Sequence, residues 1–190
     1  MSQIIQPVTP RLHLRQWAER DLSAFAGMCA DPEVMRFFPG TLERSESDLM
    51  ARTCEQLIAE RGWGIWAVEL LESGALIGIA GLHIPRHDLP FSPCVEVLWR
   101  LARPYWGNGY ATEAAEASLQ VGFEQLELEE IVSFAVLENR RSRAVMERIG
   151  MTDTGRDFDH PALPETSLLR RHCLYSLSRR DWSKNCERLD

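Results

Sequence analysis

The sequence predicts an α+β fold: a mostly antiparallel central sheet with one parallel pair in its middle, flanked by helices in a three-layer arrangement. Three observations support this class. The spacing of apolar residues changes from helical to alternating near residue 63, a turn at residues 72–74 joins two strands, and a strand–helix–strand unit spans residues 95–136. That unit supplies the single parallel crossover. A chain of 190 residues can bury one sizeable core, so we expect a single domain over residues 1–190.

The first third of the chain is mostly helical after an initial strand. Polar and apolar residues alternate at the start, and apolar residues then recur at helical spacing. Asp31-Pro32 favours a new helix start, because proline suits a first turn. The predicted elements are a strand at 11–17, a helix from Glu19 or Asp21 to Ala30, a short helix from Asp31 that ends before Pro39, and a helix from Thr41 or Ser45 to Arg61.

Strands dominate from residue 63 onward, and two helices interrupt them. Gly62 and Gly150 are placed to end helices, and Asn139 is placed to cap one. The predicted elements are strands at 63–70 and 76–84, a loop at 85–93, a strand at 95–101, a helix from about 109 to 125, a strand at 130–136, a helix from 139 to 149, and strands at 152–159 and 171–177.

Composition excludes several classes of protein. The formal charge of −7 argues against nonspecific nucleic-acid binding. No apolar run approaches the roughly 18 residues that a membrane-spanning helix needs. The five cysteines are widely spaced and form no C-x-x-C, which argues against a disulfide framework and a zinc site. The first six residues lack the basic start and apolar core of a signal peptide, so we expect a cytoplasmic protein.

Two glycines stand where the strand at residues 95–101 leads, through a loop, into the next helix. Gly107 and Gly109 permit a sharp turn and the close approach of a ligand to the backbone. The first N–H groups of the helix and the positive end of its dipole face this loop, which favours an anion, most naturally a phosphate. Glu96 lies upstream on the strand, where a base could act on whatever the phosphate-bearing molecule delivers.

The glycine pair alone permits other interpretations. A tight helix start without a ligand is one, and a dinucleotide-binding turn is another. The second is weak because Thr112 replaces the third glycine, and because five residues, including Pro104, separate the strand from Gly107. A nucleotide-binding P-loop is excluded, since no Gly-Lys-Ser/Thr follows.

Two segments together resemble a known family. Residues 106–114 (WGNGYATEA) and 139–151 (NRRSRAVMERIGM) are similar to the two signature segments of the GNAT N-acetyltransferases. They most resemble the branch that includes the ribosomal-protein N-terminal acetyltransferases, the Rim type, of which residues 9–15, 76–82 and 172–182 are also typical. The resemblance covers nearly the whole chain. It implies a GNAT-like acyl-CoA N-acyltransferase fold, in which the central parallel strands splay apart.

The resemblance implies acetyl-coenzyme A (acetyl-CoA) as cosubstrate and no metal. Backbone N–H groups from Asn108 to Thr112 would hold the pyrophosphate, with Trp106 in place of the basic or amide residue that opens the family motif. The backbone of 99–101 would bind the acetyl carbonyl and the pantetheine arm, and the Asn139 amide would also bind that arm. The implied cofactor-binding residues are Trp99, Arg100, Leu101, Trp106, Gly107, Asn108, Gly109, Tyr110, Ala111, Thr112 and Asn139.

The implied reaction is direct attack of an amine on the thioester carbonyl in a ternary complex. An α-amine with a pKa of about 7.7–8.0 is far easier to neutralise than a lysine near 10.4, so a carboxylate acting through water suffices for it. Glu96 is the predicted base, with a solvent-facing position or a salt bridge to an arginine as the alternative. His83, on the neighbouring strand, is a second candidate, for which a surface or structural role is the alternative. Many GNAT enzymes use a tyrosine after the second helix as the acid for the thiolate, and this sequence has none there. The resemblance to the Rim-type branch suggests Ser142 in its place. A plain helix serine is the alternative there.

We therefore expect an acetyl-CoA-dependent N-acetyltransferase that acts on a primary amine, with a protein N-terminus as the first acceptor to consider. A non-catalytic acyl-CoA sensor and a small-molecule acetyltransferase for polyamines or antibiotics are the alternatives. The acceptor is expected to face the first helices (about 18–62) and the loops at 85–93 and 159–170. Neither a nucleic acid nor a membrane is an expected partner, and the chain would act as a monomer or a homodimer.

Overall fold

A computed structural model describes residues 3–186, and the mixed α+β class is confirmed there, with antiparallel strands, one parallel pair and flanking helices. Met1, Ser2, residues 187–190 and the side chain of Cys186 lie outside the described residues. The strands are β1 (Leu12–Arg15), β2 (Ile65–Leu70), β3 (Leu76–His83), β4 (Glu96–Leu101), β5 (Glu130–Val136), β6 (Thr152–Asp153), β7 (Phe158–Asp159) and β8 (Arg171–Ser178). The α-helices are α1 (Leu22–Cys29), α2 (Arg44–Arg61), α3 (Tyr110–Gln120), α4 (Arg140–Arg148) and α5 (Arg179–Cys186).

The first of two compact units comprises the residues up to Leu82 together with Leu98–Ser118. Within it, β1 pairs antiparallel with β2, β2 pairs antiparallel with β3, and β3 neighbours the second half of β4. Gly78 permits the close approach of β3 to β4, because a Cβ there would collide with the carbonyl oxygen of Arg100 and the backbone of Leu101. Helices α1 and α2 pack together, and α2 packs on β2.

The second unit comprises His83–Val97 together with the residues from Leu119 onward. Its longest pairing joins β5 and β8, which run antiparallel over the full length of β5, and β6 and β7 both pair with β8. The parallel pairing of β4 with β5 joins Glu96 to Val132. Next to this pair, the Ser133 hydroxyl donates to the Val97 carbonyl oxygen at 2.9 Å. A side chain of β5 therefore makes this hydrogen bond to the backbone of β4. The prediction of a single domain stays a prediction.

Two predictions in the first third of the chain are wrong. Residues 32–37 form turns and no helix. The Asp31 carboxylate accepts a hydrogen bond from the Glu33 N–H at 2.8 Å, a local bond that competes with helix formation. Helix α2 begins after Glu43 rather than at Thr41 or Ser45, because the Glu46 carboxylate accepts a bond from the Glu43 N–H at 2.7 Å.

The C-terminal third also differs in detail from the prediction. The expected strand at 152–159 is two short strands, β6 and β7, because a turn around Gly155 (φ 66°) interrupts it. Helix α3 ends at Gln120, and a π-helical segment, Val121–Gln125, completes the predicted helix. Helix α5 was not expected. Among residues 3–186, no helix is both long and apolar enough to cross a membrane.

Candidate active site

The loop between β4 and α3 is fixed by its own side chains. The Trp106 indole donates to the Leu101 carbonyl oxygen at 2.8 Å, which ties the loop back to the end of β4. The Asn108 side-chain amide donates to the carbonyl oxygen of Trp106 at 3.1 Å. Gly107 and Gly109 have φ values of 80° and 81°, the left-handed region that favours glycine. The predicted sharp turn is therefore present at both glycines.

The loop and the first turn of α3 leave a row of N–H groups available. The first hydrogen bond at this end of α3 runs from the Glu113 N–H to the Gly109 carbonyl oxygen at 3.1 Å. Within the part of the chain that the structure describes, no group accepts a bond from the backbone N–H groups of residues 107–112. A Cβ on Gly107 would meet nothing within 4 Å, so the backbone is open there. These groups fit a pyrophosphate, which needs several donors at a helix N-terminus.

An unpredicted group of side chains from the N-terminal segment and from α3 holds this loop. We call it the Arg11 clamp, and it consists of Thr9, Arg11 and Glu113 with the Asn108 carbonyl. Arg11 forms a salt bridge with Glu113 at 2.6 Å and donates to the Asn108 carbonyl oxygen at 2.9 Å. Thr9 donates to the other Glu113 oxygen at 2.6 Å. Burial acts to raise the pKa of Glu113, but the hydrogen bonds from Thr9 and Arg11 outweigh it and lower that pKa. The clamp thus keeps its carboxylate ionised.

The sequence contained a partial signal for the clamp. Residues 9–15 stood out as typical of the Rim type, but nothing in them indicated a contact with a residue about a hundred positions away. The Arg11 guanidinium also lies over the Tyr110 ring, 4.6 Å from its centroid. Both residues line a surface cavity of about 360 Å³, together with Pro10 and residues 70–72.

The three β4 residues predicted to contact the cofactor differ in exposure. Leu101 is buried, whereas Trp99 and Arg100 are partly buried. The Leu101 carbonyl is occupied by the Trp106 indole. The Arg100 guanidinium contacts residues of the N-terminal helical segment rather than the loop.

Glu96, the predicted base, opens β4 in the second unit and is only 8% exposed. Neither predicted alternative describes it, because it is not solvent-facing and pairs with no arginine among residues 3–186. Burial raises the pKa of Glu96 to about 8. Burial and then the charge of Glu96 raise the pKa of the nearby Cys94 thiol to about 11, so that thiol stays protonated. A carboxyl with a pKa near 8 can give and take protons close to neutral pH.

Asn139 and Ser142 lie at the start of α4, also in the second unit. Asn139 caps the helix as predicted, with its side-chain oxygen accepting a bond from the Ser142 N–H at 3.2 Å. The amide NH₂ of Asn139 is therefore the part that a ligand could use. Ser142 is partly buried, and its hydroxyl bonds to no other side chain or backbone group in the described part of the protein.

The histidines do not form a metal site. Among the described residues, no three His, Cys, Asp or Glu side chains are arranged to hold a metal ion. His83, the second candidate base, ends β3 and is partly buried. His160 and His172 lie with ring centroids 5.2 Å apart, and burial lowers the pKa of each.

The predicted residues thus fall into two groups. The stretch from Trp99 to Thr112 and the Arg11 clamp belong to the first unit, and Glu96, Asn139 and Ser142 belong to the second. Residues 11–152 match the family model of the acetyltransferase (GNAT) domain. The chain belongs to the GNAT acetyltransferase family. The expected family and enzyme class, an N-acetyltransferase, are confirmed, and proteins of this fold family use acetyl-CoA.

Similar proteins agree with this assignment. "Uncharacterized N-acetyltransferase YnaD" of Bacillus subtilis (strain 168) is 27% identical over 176 residues, covering 92% of this acetyltransferase and 98% of that protein. A GNAT-family acetyltransferase from Bacillus anthracis has the same fold, with a TM-score of 0.77, 24% identity, and coverage of 93% and 99% of the two chains. "Putative ribosomal N-acetyltransferase YdaF" of Bacillus subtilis (strain 168) is 32% identical over 113 residues, covering 60% of this chain and 59% of that one.

Proposed function

We propose that this acetyltransferase binds acetyl-CoA through residues 106–112 and transfers the acetyl group to the α-amine of a protein or peptide N-terminus. The observation that carries the proposal is the row of N–H groups in the glycine loop and the first turn of α3, held by the Arg11 clamp. The partial similarity to YdaF, whose name refers to ribosomal acetylation, supports an N-terminal acceptor of the Rim type.

The predicted cofactor contacts come from three parts of the chain in this proposal. The N–H groups of residues 108–112 bind the pyrophosphate, and the positive end of the α3 dipole adds to the attraction. The backbone of 99–101 binds the acetyl carbonyl and the pantetheine arm. The Asn139 NH₂, left free by the cap, donates to a carbonyl of the same arm.

Glu96 is the general base of the proposed reaction. Its pKa of about 8 is close to that of an α-amine, about 7.7–8.0, so proton transfer between the two is nearly balanced. A lysine ammonium near 10.4 would have to give up its proton about 2.4 units uphill, or about 3 kcal/mol. The match of pKa values therefore favours an N-terminal amine over a lysine side chain.

Ser142 completes the proton balance. Glu96 takes the proton of the ammonium, the amine nitrogen attacks the thioester carbon, and the carbon–sulfur bond breaks. The attacking nitrogen loses its second proton to solvent as the amide forms. The Ser142 hydroxyl gives its proton to the departing thiolate and regains one from solvent, and Glu96 releases its proton to solvent. The products are the acetylated amine and coenzyme A.

Calorimetry with acetyl-CoA, followed by mass spectrometry of acceptor mixtures, tests this function. We expect micromolar binding and acetylation of peptides with a free N-terminus. A peptide of the same sequence with a blocked N-terminus and an internal lysine is the matched control, and it should stay unmodified. Absence of coenzyme A binding would overturn the proposal. Acetylation of spermidine or an aminoglycoside in place of the peptides would make the enzyme a small-molecule acetyltransferase, and binding without any product would make it a sensor.

A further inference from the structure

Among the residues that the structure describes, no carboxylate balances the charge of Arg100. Its terminal nitrogen Nη1 lies 3.6 Å from the sulfur of Cys29, and the guanidinium carbon lies 4.0 Å from the centroid of the Phe38 ring. Its Nε is buried and has no hydrogen-bond partner in the described part of the chain. Among residues 3–186, no Asp or Glu pairs with it.

Such a cation costs free energy in a protein interior. Removing a guanidinium from water is unfavourable unless carboxylates or good acceptors replace the water. A thiol is a weak acceptor, and an aromatic face compensates only in part. Burial accordingly lowers the pKa of Arg100. The arrangement is that of a cation whose anion is supplied from outside the chain.

The position of Arg100 indicates which molecule supplies the anion. Its backbone belongs to the 99–101 segment proposed for the acetyl group. Its side chain contacts Cys29, at the end of α1, and Phe38, in the turn before α2. Both residues belong to the region, about 18–62, expected to face the acceptor. The Phe38 ring that covers the guanidinium is 37% exposed, so a small displacement of that ring would open Arg100 to a ligand.

We propose that Arg100 binds a carboxylate of the amine acceptor, and so selects acceptors that carry an acidic group close to the reacting amine. The inference rests on the proposed acetyl transfer. A guanidinium offers a carboxylate two parallel N–H donors, which a lysine cannot do. The carboxylate is either the α-carboxylate of a free amino acid or an acidic side chain next to a peptide N-terminus.

Two matched acceptor pairs distinguish these sources. One pair is a free amino acid and its α-amide, and the other is a peptide with aspartate as its second residue and the same peptide with asparagine. The native enzyme should show a kcat/KM about 10- to 100-fold higher on the acid than on its amide in one of the two pairs. The pair that shows this preference identifies the source of the carboxylate. Arg100→Met should abolish that preference by lowering kcat/KM on the acid much more than on the amide, and Arg100→Lys should retain part of it. Arg103→Met, which removes an exposed charge three residues later, is the control and should keep the native ratio.

Stability and binding provide readouts independent of turnover. Arg100→Met should unfold at the same temperature as the native protein or a higher one, because it removes an unpaired buried charge. A lower unfolding temperature with an equal rate loss on acid and amide would make Arg100 a packing residue and overturn the inference. Should no amine be acetylated, the proposed function fails. Calorimetry of the same acceptor pairs on the coenzyme A complex then tests the carboxylate-binding role of Arg100. Tighter binding of the acid than of the amide, lost in Arg100→Met, supports that role, and equal binding of acid and amide overturns it.

Discussion

Arg15 and Glu96 are both almost inaccessible to solvent, at 7% and 8% exposure, but their surroundings are opposite. Arg15 donates to both carboxylate oxygens of Asp21 at 2.7 and 2.8 Å, and to Glu69 at 2.7 Å. Glu96 has no such partner among the described residues. Hydrogen bonding to Asp21 raises the pKa of Arg15 and keeps it charged, whereas burial raises the pKa of Glu96 and favours its neutral form.

The difference separates structural charges from reactive ones. A buried ion pair with complete hydrogen bonds holds its elements in place, and its proton is not available for chemistry. A buried carboxyl without a partner costs stability and titrates near neutral pH, which is typical of functional groups. The comparison predicts that substitution at Arg15 affects mainly folding, and substitution at Glu96 affects mainly catalysis.

The largest expected effect is on the reaction rate of Glu96→Gln. The amide cannot accept the amine proton, so kcat should fall by roughly 10²- to 10⁴-fold. In the native enzyme kcat should rise with pH to a plateau above a midpoint of about 8, where Glu96 is ionised, and the variant should lose this rise. Steady-state kinetics at saturating acceptor from pH 6 to 9.5 measures both. Acetyl-CoA affinity is the control and should not change; a variant with the native pH profile would remove Glu96 from the chemistry.

Arg15→Met should have the largest effect on stability. It leaves the carboxylate of Asp21, which is 2% exposed, without its guanidinium, and breaking a buried pair in this way costs about 3–5 kcal/mol. Denaturant unfolding measures the loss. Arg20→Met is the matched control, because Arg20 also contacts Glu69 at 2.8 Å but has a side chain that is 67% exposed. That exposed contact should contribute at most about 1 kcal/mol, and equal effects from the two substitutions would contradict the distinction.

The same contrast predicts how Glu96 affects stability as pH changes. Its pKa in the folded state, about 8, is above its ordinary value of 4.5, so the folded protein holds the proton more tightly than the unfolded chain. The protonated Glu96 carboxyl makes its full contribution to the free energy of unfolding below about pH 4.5, and this contribution is lost as pH rises through 8. Glu96→Gln, which is neutral throughout, should therefore match the native protein at pH 4.5 and exceed it at pH 8 by a few kcal/mol. Thermal unfolding at both values checks the sign, and a difference that does not depend on pH would contradict it.

Local sequence patterns predicted the strands, the glycine loop and the cap at Asn139, because each depends on residues that are neighbours in the chain. The Arg11 clamp was not predictable, since Arg11 and Glu113 are 102 positions apart and become neighbours only through the fold. The unpaired state of Arg100 was hidden for the same reason. Glu96 was predicted as a base from its position, but its burial, which sets its pKa, depends on the whole second unit.

The helix errors have a similar cause. Residues 179–186 have a weak apolar pattern, and α5 gains contacts that the pattern does not encode, including the stacking of Trp182 on Phe123 at 5.3 Å. In the opposite case, residues 31–38 have a sequence that favours a helix start, but the Asp31 side chain accepts a bond from the Glu33 N–H and no helix forms. Tertiary packing decides in the first case, and a competing local hydrogen bond decides in the second.

The smallest expected effect concerns Arg11, an exposed charge. Substituting it tests whether its bonds to Glu113 and to the Asn108 carbonyl support acetyl-CoA binding. Arg11→Gln removes the guanidinium bonds to Glu113 and to the Asn108 carbonyl and leaves only its backbone N–H bond to Glu113. The loop N–H groups are then less well ordered before the pyrophosphate arrives. We expect the KM and Kd for acetyl-CoA to rise about 10-fold, a loss of about 1.4 kcal/mol, with kcat nearly unchanged. Because the Arg11 side chain is 46% exposed, the unfolding temperature should hardly move.

Thr9→Val is the graded control for this effect. It removes the 2.6 Å hydrogen bond to Glu113, together with the local bonds between the Thr9 hydroxyl and the Leu12 backbone, and leaves the guanidinium in place. It should therefore raise the KM for acetyl-CoA by a smaller factor, about 2- to 5-fold. If the clamp orders the loop, both variants weaken acetyl-CoA binding in the same direction. If Arg11 acts only as a positive charge toward the phosphates, Thr9→Val has native affinity and the loss in Arg11→Gln diminishes at high salt, because screening reduces exposed electrostatic attraction. A fall in kcat with unchanged KM in Arg11→Gln would contradict both explanations and assign Arg11 to the chemical step.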